Sequence, residues 1–153
     1  MQLLVEHDTS VDRWLIEHHY LHSVPAGAVI RMRFEDDAHR TLGCMLWGRP
    51  SARALEQSGS ILQLTRMCFV DDTEACIESR ALAMARKYIR KHYPTRKGLL
   101  SYSSTVQGHV GTIYRADNWY LLGRTQARRK GWTSRAGRTD QDGSIKLRWT
   151  RSP

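Results

Sequence analysis

From Met1 to Trp119 the chain alternates runs with an apolar residue at every second position and runs with one at every third or fourth. These are the periods of half-buried strands and amphipathic helices. Met1 to Glu6 reads as a short first strand. Val11, Trp14, Leu15 and His18 recur at helical spacing behind Thr9 and Ser10, either of which can cap, so a helix is expected from about Val11 to Tyr20. Pro25-Ala-Gly27 turns the chain, and Gly27 to Glu35 and Leu42 to Trp47 form a hairpin across Asp36-Asp-Ala-His39. Ala52 to Gly59 allows one helical turn or a loop. Ile61 to Val70 is nearly continuous in apolar character, as a central strand should be, and Arg66 interrupts it. Asp71 and Glu74 stand at capping-box spacing ahead of the longest helix, whose buried face is Ile77, Ala81, Met84, Ala85, Tyr88 and Ile89. Arg86, Lys87, Arg90 and Lys91 suit its C-terminal dipole, and Pro94 stops it. Leu99 to Ser104 continues as a strand, a short helix pattern ends near Trp119, and Tyr120 to Gly123 and Gly143 to Thr150 close the chain as strands.

This order predicts an α/β (α+β) fold, a mixed, mainly antiparallel sheet with helices on both faces. At 153 residues the chain is read as a single domain, 1–153, with a basic C-terminal segment, 124–153. The formal net charge is +9, and residues 121–153 hold nine Lys/Arg against two Asp. That asymmetry points to a polyanion, nucleic acid above all, although a solubilising tail would look the same. Cys44, Cys68 and Cys76 form no C-x-x-C pair and read as reduced thiols. No apolar run has the length of a membrane span and no signal-peptide pattern opens the chain, so a cytoplasmic protein with no membrane partner is expected.

The stretch from Ser101 to Trp119 carries the densest candidate chemistry. Hydroxyls at Ser101, Ser103 and Ser104 precede Gln107, His109 and Asp117, at a strand-to-helix junction of the kind that borders ligand crevices in open sheets. No G-x-S-x-G elbow is present, which argues against a hydrolytic triad. Asp117 reads either as a general base beside an amine or as a helix-end cap. Arg66 inside an apolar strand needs a partner, either a structural anion such as Asp71, Asp72 or Asp117, or the carbonyl or carboxylate of a substrate. His18, His19, Tyr20 and His22 offer metal-binding donors, with packing or substrate hydrogen bonding the simpler alternative.

The element order is also that of the GNAT acetyltransferase superfamily, an analogy of fold rather than of activity. Acyl-CoA enzymes of that topology hold pyrophosphate on a glycine-rich turn before the long helix. Here the turn reads Val70-Asp-Asp-Thr-Glu-Ala-Cys76, with no glycine and three acids, which argues against acetyl-CoA.

Three segments, His18 to Gly27, Leu64-Thr-Arg-Met67 and Gln107 to Trp119, together resemble the Mom family of phage DNA-modification proteins, an offshoot of the GNAT superfamily. The resemblance implies conversion of adenine N6 in double-stranded DNA to an acetamido (carbamoylmethyl) derivative, protecting phage DNA from restriction. It implies a homodimer, an unidentified small-molecule donor and an iron requirement, with His19 and Tyr20 as matching ligand candidates. Catalytic positions would fall on Tyr20, Arg66, Ser103 and Asp117. A flipped adenine would meet Gln107, His109, Tyr114 and Trp119, and Arg124, Arg128, Arg129, Lys130 and Arg135 would hold phosphates. The competing expectations are a GNAT-like acyltransferase on a small amine or protein, and a non-catalytic DNA-binding protein.

Overall fold

The computed structural model describes residues 1–127 and 143–153. Along the chain lie β1 (Gln2–Glu6), α1 (Ser10–His18), β2 (Ala28–Glu35), β3 (Thr41–Gly48), α2 (Arg53–Gln57), β4 (Ile61–Phe69), α3 (Ile77–His92), β5 (Gly98–Ser104), α4 (Thr112–Ala116), β6 (Tyr120–Arg124) and β7 (Lys146–Arg151). The strands form one sheet in the order β1-β2-β3-β4-β5-β7-β6, in which only β4 and β5 run parallel. The mixed, mainly antiparallel architecture follows the sequence pattern closely.

Alternation along the strands sends apolar side chains to both faces, and a helix layer covers each. On one face, Val11 and Leu15 of α1 pack on Cys44 and Leu46. On the other, Ala81, Leu82, Ala85 and Ile89 of α3 join Met32, Phe34, Met45, Trp47, Leu62 and Leu64. Full burial of one such leucine stabilises the fold by roughly 2 kcal/mol.

One boundary differs from the sequence reading. α3 begins at Ile77, not at the Asp71–Glu74 capping box, because Cys76 takes a left-handed conformation (φ 63°) that no helix can include. Two of the turn's three acids serve ion pairs instead: Asp72 accepts from Arg40 at 2.6 Å, and Glu74 pairs with Arg80.

Two irregularities in the middle of the sheet create the site. Opposite Leu46–Trp47 the register jumps from Arg66 to Leu64, so Thr65 is an extra, bulged residue. Simple alternation would point Arg66 the same way as Leu62 and Leu64, into the α3 core. The bulge turns it to the α1 face, opposite Leu46, and Thr65 fixes the kink by donating its hydroxyl to Leu46 O at 2.9 Å. The second irregularity is a split. β4 and β5 pair only from Ile61↔Gly98 to Leu64↔Ser101, whereas β4 follows β3 to Phe69 and β5 follows β7 to Ser104. Beyond Leu64 and Ser101 the two strands have left each other, opening a wedge.

Candidate active site

The mouth of the wedge is built by the end of α1, the bulged strand and the loop after β5. α1 stops at His18, and His19, in extended backbone, donates its N–H to Leu15 O at 2.9 Å. The chain then turns tightly, with His22 donating to His19 O at 2.8 Å. This delivers Ser23 to Arg66, whose Nε donates to Ser23 O at 2.8 Å while Nη1 donates to Thr65 O at 2.7 Å. The guanidinium is therefore anchored by two backbone carbonyls, and among the described residues no carboxylate pairs with it. Burial lowers its pKa from the usual arginine value, and the nearby Tyr20 opposes that.

Tyr20 stacks on His19 with centroids 4.4 Å apart and meets His109 edge-on at 5.9 Å. His109 arrives from the loop after β5, where its N–H donates to Ser104 O at 3.2 Å. His19 is buried, and its pKa falls to about 4, first through desolvation and then through Arg66, His109 and His22. Four of the sequence candidates, His19, Tyr20, Arg66 and His109, thus converge on one spot.

Behind them lies an aromatic wall. Tyr114 of α4 stacks on Trp149 of β7 at 5.6 Å and meets Trp119 edge-on at 5.4 Å. Its hydroxyl is 2.7 Å from Ser101 Oγ, and burial pushes its pKa up to about 12. Ser103 accepts from Trp149 Nε1 at 3.0 Å, which ties that serine into the wall. Trp149 was no site candidate in the sequence, because what joins it to Ser103 and Tyr114 is a contact between distant segments.

Of the two sequence readings of Asp117, the helix-end one describes its place: it is the C-cap residue of α4. It is 6% exposed, and both carboxylate oxygens bind Arg86, from Nε and Nη2 at 2.7 Å each. Trp119 Nε1 donates to the same carboxylate at 2.9 Å, and Arg151 donates to its backbone carbonyl. The structure does not pair Asp117 with Arg66: one is bound to α3, the other to the 20–23 turn on the opposite face. Arg86, read from sequence as a dipole partner, is the counter-ion. Gln107 is exposed on the loop before His109, and Arg124 ends β6. Arg128, Arg129, Lys130 and Arg135 lie outside the described residues.

The donor set at the mouth does not fit a resident iron as arranged. His19 Nδ1 accepts the N–H of Leu21 at 3.1 Å, so the neutral ring carries its proton on Nε2 and presents a donor there. Metal-bound histidines show the reverse pattern, donating from the second nitrogen. Among the described residues no three His, Cys, Asp or Glu side chains gather as a metal site. At the β4–α3 turn, where acyl-CoA enzymes of this topology hold pyrophosphate, the chain has three acids and no glycine, with Asp72 and Glu74 paired to Arg40 and Arg80. A cavity of about 290 Å³ does open two residues past Arg66, lined by His18, Cys68, Phe69, Val70 and Asp71.

A central parallel pair that parts halfway, inside an otherwise antiparallel sheet with helices on both faces, defines a GNAT-type fold. The solved structures it matches agree. The spermidine/spermine N-acetyltransferase SpeG of Vibrio cholerae, in mutant forms, superposes with a TM-score of 0.65 at 8% identity, covering 99% of this chain and 95% of that one. An acetyltransferase of the GNAT family from Streptococcus pneumoniae gives 0.61 at 8% identity over 99% of both chains. The ribosomal-protein-S5-alanine acetyltransferase of Vibrio fischeri gives 0.58 at 7% identity over 80% of this chain and 61% of that one. The sequence goes further than the fold: the profile of the Mom protein family matches residues 5–149, and the chain belongs to that family. It is 36% identical over 62 residues to the methylcarbamoylase mom of Escherichia phage Mu, a stretch covering 40% of this chain and 26% of that protein.

Proposed function

We propose that this protein is a phage DNA-modification transferase that converts the N6 amine of adenine to an acetamido (carbamoylmethyl) derivative in the host cell, shielding phage DNA from restriction. The observation that carries the reading is the gathering of His19, Tyr20, Arg66 and His109 at the strand split of a Mom-family chain. Adenine N6 is a weak nucleophile, because its lone pair is delocalised into the ring, so the base must be oriented and the proton removed. Tyr20 offers a ring against which an extruded base can stack. Arg66 has its Nη2 edge for the carboxamide of the donor, since Nε and Nη1 are spent on backbone carbonyls. N6 forms its bond to the donor methylene, the leaving group departs with the bonding pair, and His109 takes the N6 proton. Asp117 acts at one remove, holding Trp119 and α4 in place. The cavity beside Asp71 and His18 is the place for a small donor, and its carboxylate suits an amine.

Mass spectrometry of nucleosides from cells expressing the protein tests the reading. Wild type should yield a new adenosine species, and Arg66→Ala should abolish it while remaining folded. Unchanged nucleosides from cells containing folded wild-type protein would overturn the assignment. A homodimer belongs to the same proposal, and light scattering at micromolar concentration checks it. The likeness to acetyltransferases favours a second reading, acyl transfer to an amine; micromolar acetyl-CoA binding by calorimetry would support that instead.

A further inference from the structure

We propose that the α1-side face of the sheet at β7 and β6, bordered by half-buried Tyr102 of β5, is the platform on which duplex DNA lies while a base is drawn to the strand split. The inference rests on the reading of the protein as a DNA-modifying transferase and adds where the polymer is held.

Register fixes which side chains share this face. Leu100, Thr150 and Tyr120 form one row across the three strands, Tyr102 and Arg148 a second, and Ser104 and Lys146 a third. The opposite side of the same strands carries Ser101, Ser103 and Trp149, which are buried against α4. Cross-strand pairing continues the platform onto the face of β4 that carries Gln63 and, through the bulge, Arg66. The mouth of the wedge and the platform therefore open in the same direction.

Among the described residues no helix covers β7 and β6 on this side, while Leu100 and Ser104 of β5 are buried. α1 packs on β2, β3 and β4, and Tyr120 is 74% exposed, with Arg148 exposed beside it. β5, β6 and β7 contain no acidic residue. Among the described residues Lys146 and Arg148 form no ion pair, unlike Arg31, Arg33 and Arg40 at the far side of the sheet. Lys146 and Arg148 stand two residues apart on one strand, about 7 Å, close enough for neighbouring phosphates. Exposed Tyr120 and half-buried Tyr102 flank these cations, and a sheet face that combines cations with an accessible ring is a recurrent surface for nucleic acid.

The test is binding of a fluorescent 20-base-pair duplex by the full-length protein, as a function of salt. Lys146→Glu with Arg148→Glu should weaken binding at least about tenfold and reduce the slope of log affinity against log salt by roughly 2. Lys87→Glu with Lys91→Glu, on the exposed side of α3, makes the same change in net charge and should leave the slope intact. Tyr120→Ala should weaken binding without changing the slope. Matching circular dichroism and melting temperatures establish that the variants are folded. Equal losses from both double variants, or no loss from the platform pair, would overturn the platform while leaving the DNA reading standing. Absence of wild-type affinity for the duplex would remove both.

Discussion

Position 111 admits no side chain. Gly111 precedes α4 with φ 82°, and a Cβ built there would fall inside the indole of Trp149. Gly111→Ala should therefore cost at least about 2 kcal/mol in urea unfolding, from left-handed strain and overpacking together. His19 makes the second prediction at this level. Its folded-state pKa of about 4 lies below the ordinary 6.5, so the unfolded chain takes up the proton first as pH falls. Stability attributable to this ring is full above pH 6.5 and declines toward pH 4. Between pH 7 and pH 5 the loss should be roughly 2 kcal/mol, and His19→Gln, which titrates in neither state, should flatten that part of the profile. Individual candidates such as His19, Tyr20, Arg66 and His109 could be picked from the sequence because uncommon residue types cluster there. That Asp117 belongs to Arg86, 31 positions away, could not, since nothing local distinguishes Arg86 from the other cations of its helix.

Arg86 and Asp117 join the helix layer to the end of α4, and both are largely buried, with side-chain exposures of 13% and 5%. Truncating one partner leaves the other charge buried and unpaired, so Arg86→Ala should lose about 3 to 5 kcal/mol on thermal or chemical unfolding. The double variant Arg86→Ala with Asp117→Ala should lose clearly less than the sum of the singles, a coupling that a purely catalytic aspartate would not show. Periodicity located the strands to within a few residues because alternation is a property of the chain itself. It failed at two junctions, where geometry overruled pattern. The acids ahead of α3 look like a capping box, yet Cys76 breaks the backbone there, and Arg40 and Arg80 claim the carboxylates. The Thr65 bulge is equally silent in the sequence, although it decides which way Arg66 points.

The GNAT-type fold carries here an acidic, glycine-free turn ahead of α3, and that sets an expectation for the protein as it stands. Calorimetry with acetyl-CoA at micromolar concentration should give no binding heat, because Asp71, Asp72 and Glu74 oppose a pyrophosphate at the head of α3. A saturable heat would show that a donor can enter by another route. Topology was within reach of sequence reasoning because so few arrangements accommodate this order of elements. The parting of β4 from β5 was not, since both strands stay paired to their outer neighbours beyond the point where they separate. That parting has a kinetic signature. In a strand, successive N–H groups point to opposite neighbours. After Leu64, those of β4 that face β3 remain laced, while the alternate ones look into the wedge. Deuterium should therefore enter this single strand at two interleaved speeds, slow and fast by turns, in the middle of a sheet where uniform protection would ordinarily be the rule.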